Sequence, residues 1–201
     1  MVREFNILLA GVGGQGVILM SELLGKAAIV DGLRVRGSEV LGMAVRGGSV
    51  TSIIRLGDDV HGPLIPQGRC HILVALEPSE ALRHVSYLSS AGLAILNTTP
   101  IVPFTVSLGQ SSYPRLEQIL EKLNSVASKV ITLDAAQIAQ EAGSLLAANI
   151  VMLGALFGLE LLPVKRATMK EAIEARFAPK AALVNIRAFD LGYQACRRAV
   201  A

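Results

Sequence analysis

The chain has 201 residues and a formal net charge of +3; 52% of its residues are hydrophobic and 17% are charged. This length fits one sizeable α/β domain, the scarcity of charge predicts extensive contact with a partner, and the scattered basic residues argue against nucleic acid binding. Only two cysteines are present, far apart in the sequence, so the chain cannot hold an iron–sulfur cluster alone and we expect a thiol-reduced, cytoplasmic protein.

Strands and helices alternate over the first two thirds of the chain. The strand-like segments are short and apolar, which is typical of strands buried on both faces of a parallel sheet. We predict strands over 5–10, 33–36, 49–56, 71–76, 93–97 and 130–133. Helices are predicted over 17–30, 78–89 and 114–125, with Asp134 capping a further one. This order predicts a doubly wound, mainly parallel, Rossmann-like sheet with helices on both faces.

A glycine-rich turn lies between the first strand and the first helix. In this position a GxGxxG pattern is the fingerprint of dinucleotide-binding turns, whose glycines let the backbone approach a phosphate at a helix N-terminus. The candidate cofactor-binding residues are Gly11, Gly13, Gly14, Gln15 and Gly16. The alternative is a tight turn without a ligand. The acidic residue expected about 20 positions later is poorly matched by Glu39, which argues against tightly held NAD.

The segment from Ser38 to Gly48 joins two predicted strands at the carboxyl end of the sheet, where α/β proteins bind ligands. It is rich in glycine and flexible side chains, and we expect a loop or a single helical turn. Met43 permits adaptable contacts, and Arg46, which precedes Gly47, is placed to present a guanidinium to an anion. The alternative is an irregular surface loop without a binding role.

The last third of the chain is predicted to be helical, over 145–161, 168–177 and 180–200. We therefore divide the single domain into an α/β core, residues 1–143, and a helical C-terminal part, residues 144–201. The apolar run from 145 to 159 is shorter than the roughly 18–20 residues that cross a membrane, so we expect no membrane span. Asn149 interrupts this run, and its amide must be hydrogen-bonded, either to a neighbouring segment or within a site. Gly154 and Gly158 permit close helix packing.

Several short motifs occur in order along nearly the whole chain. They are the Gly11–Gly16 turn, Gly37-Ser38-Glu39, Arg46-Gly47-Gly48-Ser49, Pro63-Leu64-Ile65-Pro66, Glu77-Pro78, Asn97-Thr98, Ala147-Ala148-Asn149 and Leu153-Gly154-Ala155-Leu156. Together they resemble the gamma-type domain of the 2-oxoacid:ferredoxin oxidoreductases, in the form found in the beta subunits of the indolepyruvate enzymes. The resemblance extends over residues 1–201 as one domain.

The resemblance implies a subunit of an assembly that oxidatively decarboxylates indolepyruvate or another 2-oxoacid. Thiamine diphosphate with Mg²⁺ and the iron–sulfur clusters are then expected on a large alpha subunit, with ferredoxin as electron acceptor and coenzyme A as acyl acceptor and candidate shared ligand. This subunit is expected to bind no metal or cofactor tightly, to supply no catalytic residue of its own and to be inactive alone. The residues expected to face the partner's active site are Ser38, Glu39, Met43, Arg46, Gly47, Gly48, Asn97, Thr98 and Asn149.

Two other functions stay open from the sequence: a freestanding NAD(P)-binding oxidoreductase and a non-catalytic assembly module. Tight stoichiometric binding of NAD(P)H would indicate the first, and a complex that is fully active without this chain would indicate the second. Because the composition implies a surface that is covered in an assembly, we also expect the isolated chain to form a two-fold dimer.

Overall fold

In the computed structural model, which describes residues 2–44 and 46–201, six strands form one sheet. They are β1 (Phe5–Val12), β2 (Val35–Leu41), β3 (Ser49–Leu56), β4 (Cys70–Ala75), β5 (Leu88–Asn97) and β6 (Lys129–Leu133). Their order in the sheet is β2-β3-β1-β4-β5-β6. The pairs β1–β4, β4–β5 and β5–β6 are parallel, whereas β3 runs antiparallel to β1 and β2. The predicted, mainly parallel α/β sheet is confirmed, with β3 as the exception.

Helices cover both faces of this sheet. Within the described residues they are α1 (Val17–Val30), α2 (Pro78–His84), α3 (Phe104–Ser107), α4 (Leu116–Asn124), α5 (Ala135–Ala142), α6 (Ala148–Gly158), α7 (Arg166–Arg176) and α8 (Pro179–Val200). Strand side chains alternate between the faces. Ile7 and Leu9 join a large core with α1 and α5–α8, while Leu8 and Ala10 join a smaller one with α2 and α4. None of these helices is long and apolar enough to cross a membrane.

The largest difference from the predicted elements concerns β2, which was expected to end at residue 36. The strand continues to Leu41 and forms a hairpin with β3, in register from Val35 opposite Leu56 to Leu41 opposite Val50. Gly37, within this stretch, disfavours a strand locally. Pairing with β3, which is β-branched and largely buried, outweighs that preference. Local propensity cannot predict this pairing.

Smaller differences lie at other element ends. The second helix stops at His84, a 3-10 turn follows at Val85–Tyr87, and β5 begins five residues earlier than predicted, at Leu88. A second 3-10 turn at Leu145–Ala147 precedes α6, and the short α3 was not predicted. The predicted cap is confirmed, because the Asp134 carboxylate accepts a hydrogen bond from the Gln137 N–H at 2.9 Å.

Helix α6 is enclosed by the rest of the molecule, with every residue from Asn149 to Gly158 buried. Its backbone lies directly on that of α8. A Cβ on Gly154 would lie 2.0 Å from the carbonyl oxygen of Phe189, and a Cβ on Gly192 would lie 2.0 Å from that of Val151. The prediction that glycine permits close helix packing here is confirmed, and the helical C-terminal segment shares the large core with β1 and α1.

Gly154→Ala should therefore destabilise the protein strongly, because neither backbone can yield to a methyl group. Overpacking of a buried contact costs typically about 1–3 kcal/mol, and we expect a loss at the upper end of that range. Gly62→Ala is the matched control, since a Cβ there meets no atom within 4 Å. Urea denaturation followed by circular dichroism measures both; equal midpoints for the two variants would contradict the close contact.

Candidate functional site

The turn between β1 and α1 needs glycine at three positions. Gly14 and Gly16 have φ angles of 99° and 77°, in the left-handed region that glycine adopts readily. Gly11 lies within the last part of β1, where a Cβ would stand 2.8 Å from both Gln15 Oε1 and Val17 Cγ2. The turn's own geometry therefore accounts for these glycines, with or without a ligand.

Two predicted site residues, Gln15 and Asn97, converge on one backbone carbonyl. The Nε2 of Gln15 and the Nδ2 of Asn97 each donate to the Leu76 carbonyl at 2.9 Å. The Oε1 of Gln15 accepts from the Val12 N–H at 2.8 Å, and the Oδ1 of Asn97 accepts from the Ala135 N–H at 3.0 Å. Both amides thus tie together the carboxyl ends of β1, β4 and β5, and their contact with a ligand stays a prediction.

Asn149 occupies the first turn of α6 and is almost fully buried. Its Nδ2 donates to the Gly16 carbonyl at 3.4 Å, and its Oδ1 accepts from the Ile150 N–H at 3.0 Å. A Cβ on Gly16 would lie 2.4 Å from Asn149 Nδ2, so the amide packs directly against the turn and leaves no room for a side chain there. The predicted bond to a neighbouring segment is confirmed.

A cavity of about 230 Å³ opens beside the turn, at the carboxyl ends of β4 and β5. Four of the predicted residues line it, namely Gly14, Gln15, Asn97 and Asn149. Thr98 is not among its lining residues, and its hydroxyl donates to the Leu133 carbonyl at 3.3 Å. The structure thus brings together predicted residues from three separate segments of the chain.

The hairpin loop between β2 and β3 lies against the other side of the turn. The Gly13 N–H donates to the Gly48 carbonyl at 2.8 Å, and the Gly47 N–H donates to the Gly13 carbonyl at 3.2 Å. Met43 and Arg46 of this loop are exposed. Between loop and turn is a second cavity, of about 490 Å³. The loop therefore reaches the carboxyl edge of the sheet, as the sequence predicts; Val45 lies outside the described residues.

Ser38 and Glu39 were expected in this loop, and that placement is wrong. Both lie in the middle of β2, where they pair with Ile53 and Ser52 of β3. Glu39 Oε1 lies 3.3 Å from the Ser21 hydroxyl of α1, which donates to the Ile18 carbonyl at 2.8 Å, so this carboxylate faces α1. Cross-strand pairing is the physical reason, and the expected contact of both residues with a partner stays a prediction.

Sequence reasoning missed a buried carboxylate that holds the base of the hairpin loop. Glu80 is 3% exposed. Its Oε2 accepts from the Ser49 hydroxyl at 2.6 Å, and its Oε1 accepts from Arg83 Nε at 3.2 Å. His84, which bonds to the Thr51 hydroxyl at 2.8 Å, has its pKa lowered by burial and is neutral at pH 7. The first residue of β3 is thereby fastened to α2.

A second buried carboxylate, Glu77, fastens the segment after β5. It is the N-cap of α2, accepting from the Glu80 N–H at 3.1 Å and the Ser79 hydroxyl at 2.5 Å, and the Tyr113 hydroxyl also donates to it. Burial, followed by the Glu77 carboxylate, raises the pKa of Tyr113 well above its usual range. The available signal was the Glu-Pro pair, since proline is common at the first position of a helix and the residue before it is then the N-cap.

The thiols take no part in this edge of the sheet. Burial raises the pKa of Cys70 to about 12 and that of Cys196 to about 11, so both are protonated. No group of three or more His, Cys, Asp or Glu side chains placed to hold a metal ion occurs among the described residues. This edge offers backbone groups, amides, hydroxyls, apolar contacts and the exposed Arg46 guanidinium.

Comparisons connect the chain with known proteins. The family model for pyruvate ferredoxin/flavodoxin oxidoreductase matches residues 6–195. Indolepyruvate oxidoreductase subunit IorB of Pyrococcus horikoshii is 42% identical over 200 residues, with 98% of each chain covered. The gamma subunit of a keto/oxoacid ferredoxin oxidoreductase from Geobacter sulfurreducens has a TM-score of 0.71 at 24% identity, covering 97% of this chain and 99% of that one. A 2-oxoglutarate:ferredoxin oxidoreductase from Magnetococcus marinus has a TM-score of 0.73 at 20% identity, covering 98% of this chain and 32% of that one.

Gly16→Ala should cost more stability than Gly14→Ala. Both positions have positive φ, so an alanine at either costs about 1–2 kcal/mol in backbone strain. Only the Cβ at Gly16 also meets Asn149; at Gly14 no atom lies within 4 Å. We expect an extra loss of about 1 kcal/mol or more in urea denaturation, partly recovered when Asn149→Ala is added. Equal losses for the two single variants would show that Asn149 does not press on the turn.

Ser49→Ala should loosen the hairpin loop, because it removes the bond to Glu80. A hydrogen bond to a charged group contributes about 1.5–3 kcal/mol, so amide hydrogen exchange in the loop should accelerate roughly tenfold or more. Ser79→Ala is the control, since it also removes a hydroxyl bonded to a buried glutamate but lies inside α2. Equal exchange in the two variants would refute the fastening role of Glu80.

Proposed function

The chain belongs to the pyruvate ferredoxin/flavodoxin oxidoreductase family, and on that premise we propose that it is the small, non-redox subunit of a 2-oxoacid:ferredoxin oxidoreductase. The 42% identity with an indolepyruvate oxidoreductase subunit supports indolepyruvate or a related arylpyruvate as the substrate. A large alpha subunit would hold thiamine diphosphate with Mg²⁺ and the iron–sulfur clusters, and ferredoxin would receive the electrons. The chain's two cysteines, both buried, do not fit a cluster ligand set.

The main support for this proposal is the surface around the Gly11–Gly16 turn and Gly47-Gly48. These two segments are hydrogen-bonded to each other, and exposed apolar side chains lie on both sides of them. Leu41 and Met43 lie on one side of the turn, and Ile101, Leu145 and Leu146 lie on the other. Together with the turn and the hairpin loop, these side chains form what we call the carboxyl-edge surface. Apolar side chains gathered around a cavity are typical of a surface that another protein covers.

The groups on this surface are suited to binding and positioning. The start of α1 carries backbone N–H groups and the positive end of the helix dipole, both of which favour an anion. The Arg46 guanidinium can make charge-assisted, bidentate hydrogen bonds to a carboxylate or phosphate. We infer that this surface closes the partner's active site and helps to hold the 2-oxoacid carboxylate or the phosphates of coenzyme A.

The strand order argues against a freestanding NAD(P)-dependent enzyme. In the dinucleotide fold, the acidic residue that holds the ribose ends a strand beside the first one. Here the antiparallel β3 separates β2 from β1, and Glu39 of β2 lies against Ser21 of α1. The neighbourhood of the turn therefore supports a shared surface rather than a complete dinucleotide site.

Arg46→Ala tests the role of the surface in catalysis. In a complex co-expressed with a thiamine-binding alpha subunit, we expect kcat/KM for indolepyruvate or coenzyme A to fall roughly ten- to a hundredfold, equivalent to about 1.4–2.8 kcal/mol. Arg46→Lys should recover only part, because an ammonium lacks the planar fork. Arg198→Ala is the control, since this exposed arginine lies near the C-terminal end of α8, at the opposite edge of the sheet.

Two outcomes would contradict the proposal. Wild-type efficiency of Arg46→Ala for both substrates would reduce Arg46 to a surface residue. Full activity of the alpha subunit without this chain would instead indicate an assembly module. The isolated chain should be colourless and should not reduce ferredoxin, which absorption spectra and the same assay check.

A further inference from the structure

Strand β2 forms one edge of the sheet, and its outer side has no neighbouring strand within the described residues. The strand lacks proline, and Val40 and Leu41 are 59% and 58% exposed. Exposed edge strands with apolar side chains readily pair with another strand, and natural proteins usually cover or charge them. β2 carries only Arg36 and Glu39 as charged residues, so it is poorly protected.

The hairpin bonds reveal which backbone groups of β2 point outward. The Gly42 N–H donates to the Ser49 carbonyl at 2.8 Å, and the Gly57 N–H donates to the Arg34 carbonyl at 3.0 Å, so even-numbered residues bond inward to β3. Bonding alternates along an antiparallel ladder. The outward-facing residues are therefore Val35, Gly37, Glu39 and Leu41; of their carbonyls, that of Val35 already accepts from the Arg36 guanidinium.

Antiparallel pairing of two copies of β2 about a two-fold axis at Ser38 uses all four outward-facing residues. Gly37 then lies opposite Glu39 of the second copy, and Val35 lies opposite Leu41. On the other face of the strand, Arg36 lies opposite Val40, so no like charges meet. An axis at Glu39 would instead place two carboxylates opposite each other, which is unfavourable.

We propose that a second copy of this chain pairs with the outer edge of β2 in this register, joining two six-stranded sheets into one. The dimer covers Val40 and Leu41 and leaves the Arg46 side of the hairpin loop available to the alpha subunit. This dimer specifies the self-association that the composition predicts. Its interface shares Leu41 with the carboxyl-edge surface but does not include Arg46.

A charge introduced at position 40 tests the proposed pairing directly. Val40→Lys places an ammonium opposite Arg36 of the second copy, twice in the dimer, whereas Val40→Glu places a carboxylate there. In sedimentation equilibrium on the isolated chain at low salt, the dimer dissociation constant of Val40→Lys should exceed that of Val40→Glu at least about tenfold, and salt should reduce the difference. Adding Arg36→Glu to Val40→Lys should restore dimerisation to near the wild-type level.

Leu183→Lys and Leu183→Glu are the matched controls, because Leu183 is 75% exposed on α8. We expect equal dissociation constants for these two variants. A wild-type chain that is monomeric at tens of micromolar would overturn the proposal, as would equal dissociation constants for Val40→Lys and Val40→Glu. These measurements use no substrate or alpha subunit, so their failure is distinguishable from a failure of the proposed activity.

Discussion

The contact between α6 and α8 is the constraint on which the site depends. Two backbones can lie this close only where glycine removes the side chain, and Gly154 and Gly192 do so from opposite helices. The position of α6 in turn sets that of Asn149, whose amide lies against Gly16 at the start of α1. A packing contact deep in the core thus determines the shape of a turn at the carboxyl edge of the sheet.

The elements that local sequence determines were predictable, and those that depend on distant partners were not. Apolar β-branched runs and the caps of helices specify most strands and helices by themselves. The continuation of β2 through Gly37 depends on β3, and neither periodicity nor propensity reports that pairing. The glycine turn was located correctly, but the bonds from Gln15 and Asn97 to Leu76 join segments 61 and 21 positions apart. The roles of Glu77 and Glu80 likewise depend on Tyr113 and Ser49, far from them in sequence.

The fold itself requires the glycines of the Gly11–Gly16 turn, whether or not a ligand binds there. Gly11, Gly14 and Gly16 meet steric and conformational demands of the turn, and the amide of Gln15 is occupied by backbone groups. A phosphate is therefore not needed to explain any of them. The residues that a partner would meet first are instead Met43 and Arg46, which extend from the hairpin loop and contribute nothing to the core.

The burial of α6 also determines when its apolar surface is covered during translation. Strand β1 and the β2–β3 hairpin have been translated once the ribosome has passed residue 56, but the glycine turn still lacks Leu76 and Asn149, whose hydrogen bonds hold it. Helix α6 has its apolar surface open until α8 has been translated, because α8 supplies one of its walls. The nascent chain therefore exposes this apolar helix until late in translation. The α6–α8 contact that sets the position of Asn149 against Gly16 can therefore form only on a chain that has been translated through Gly192.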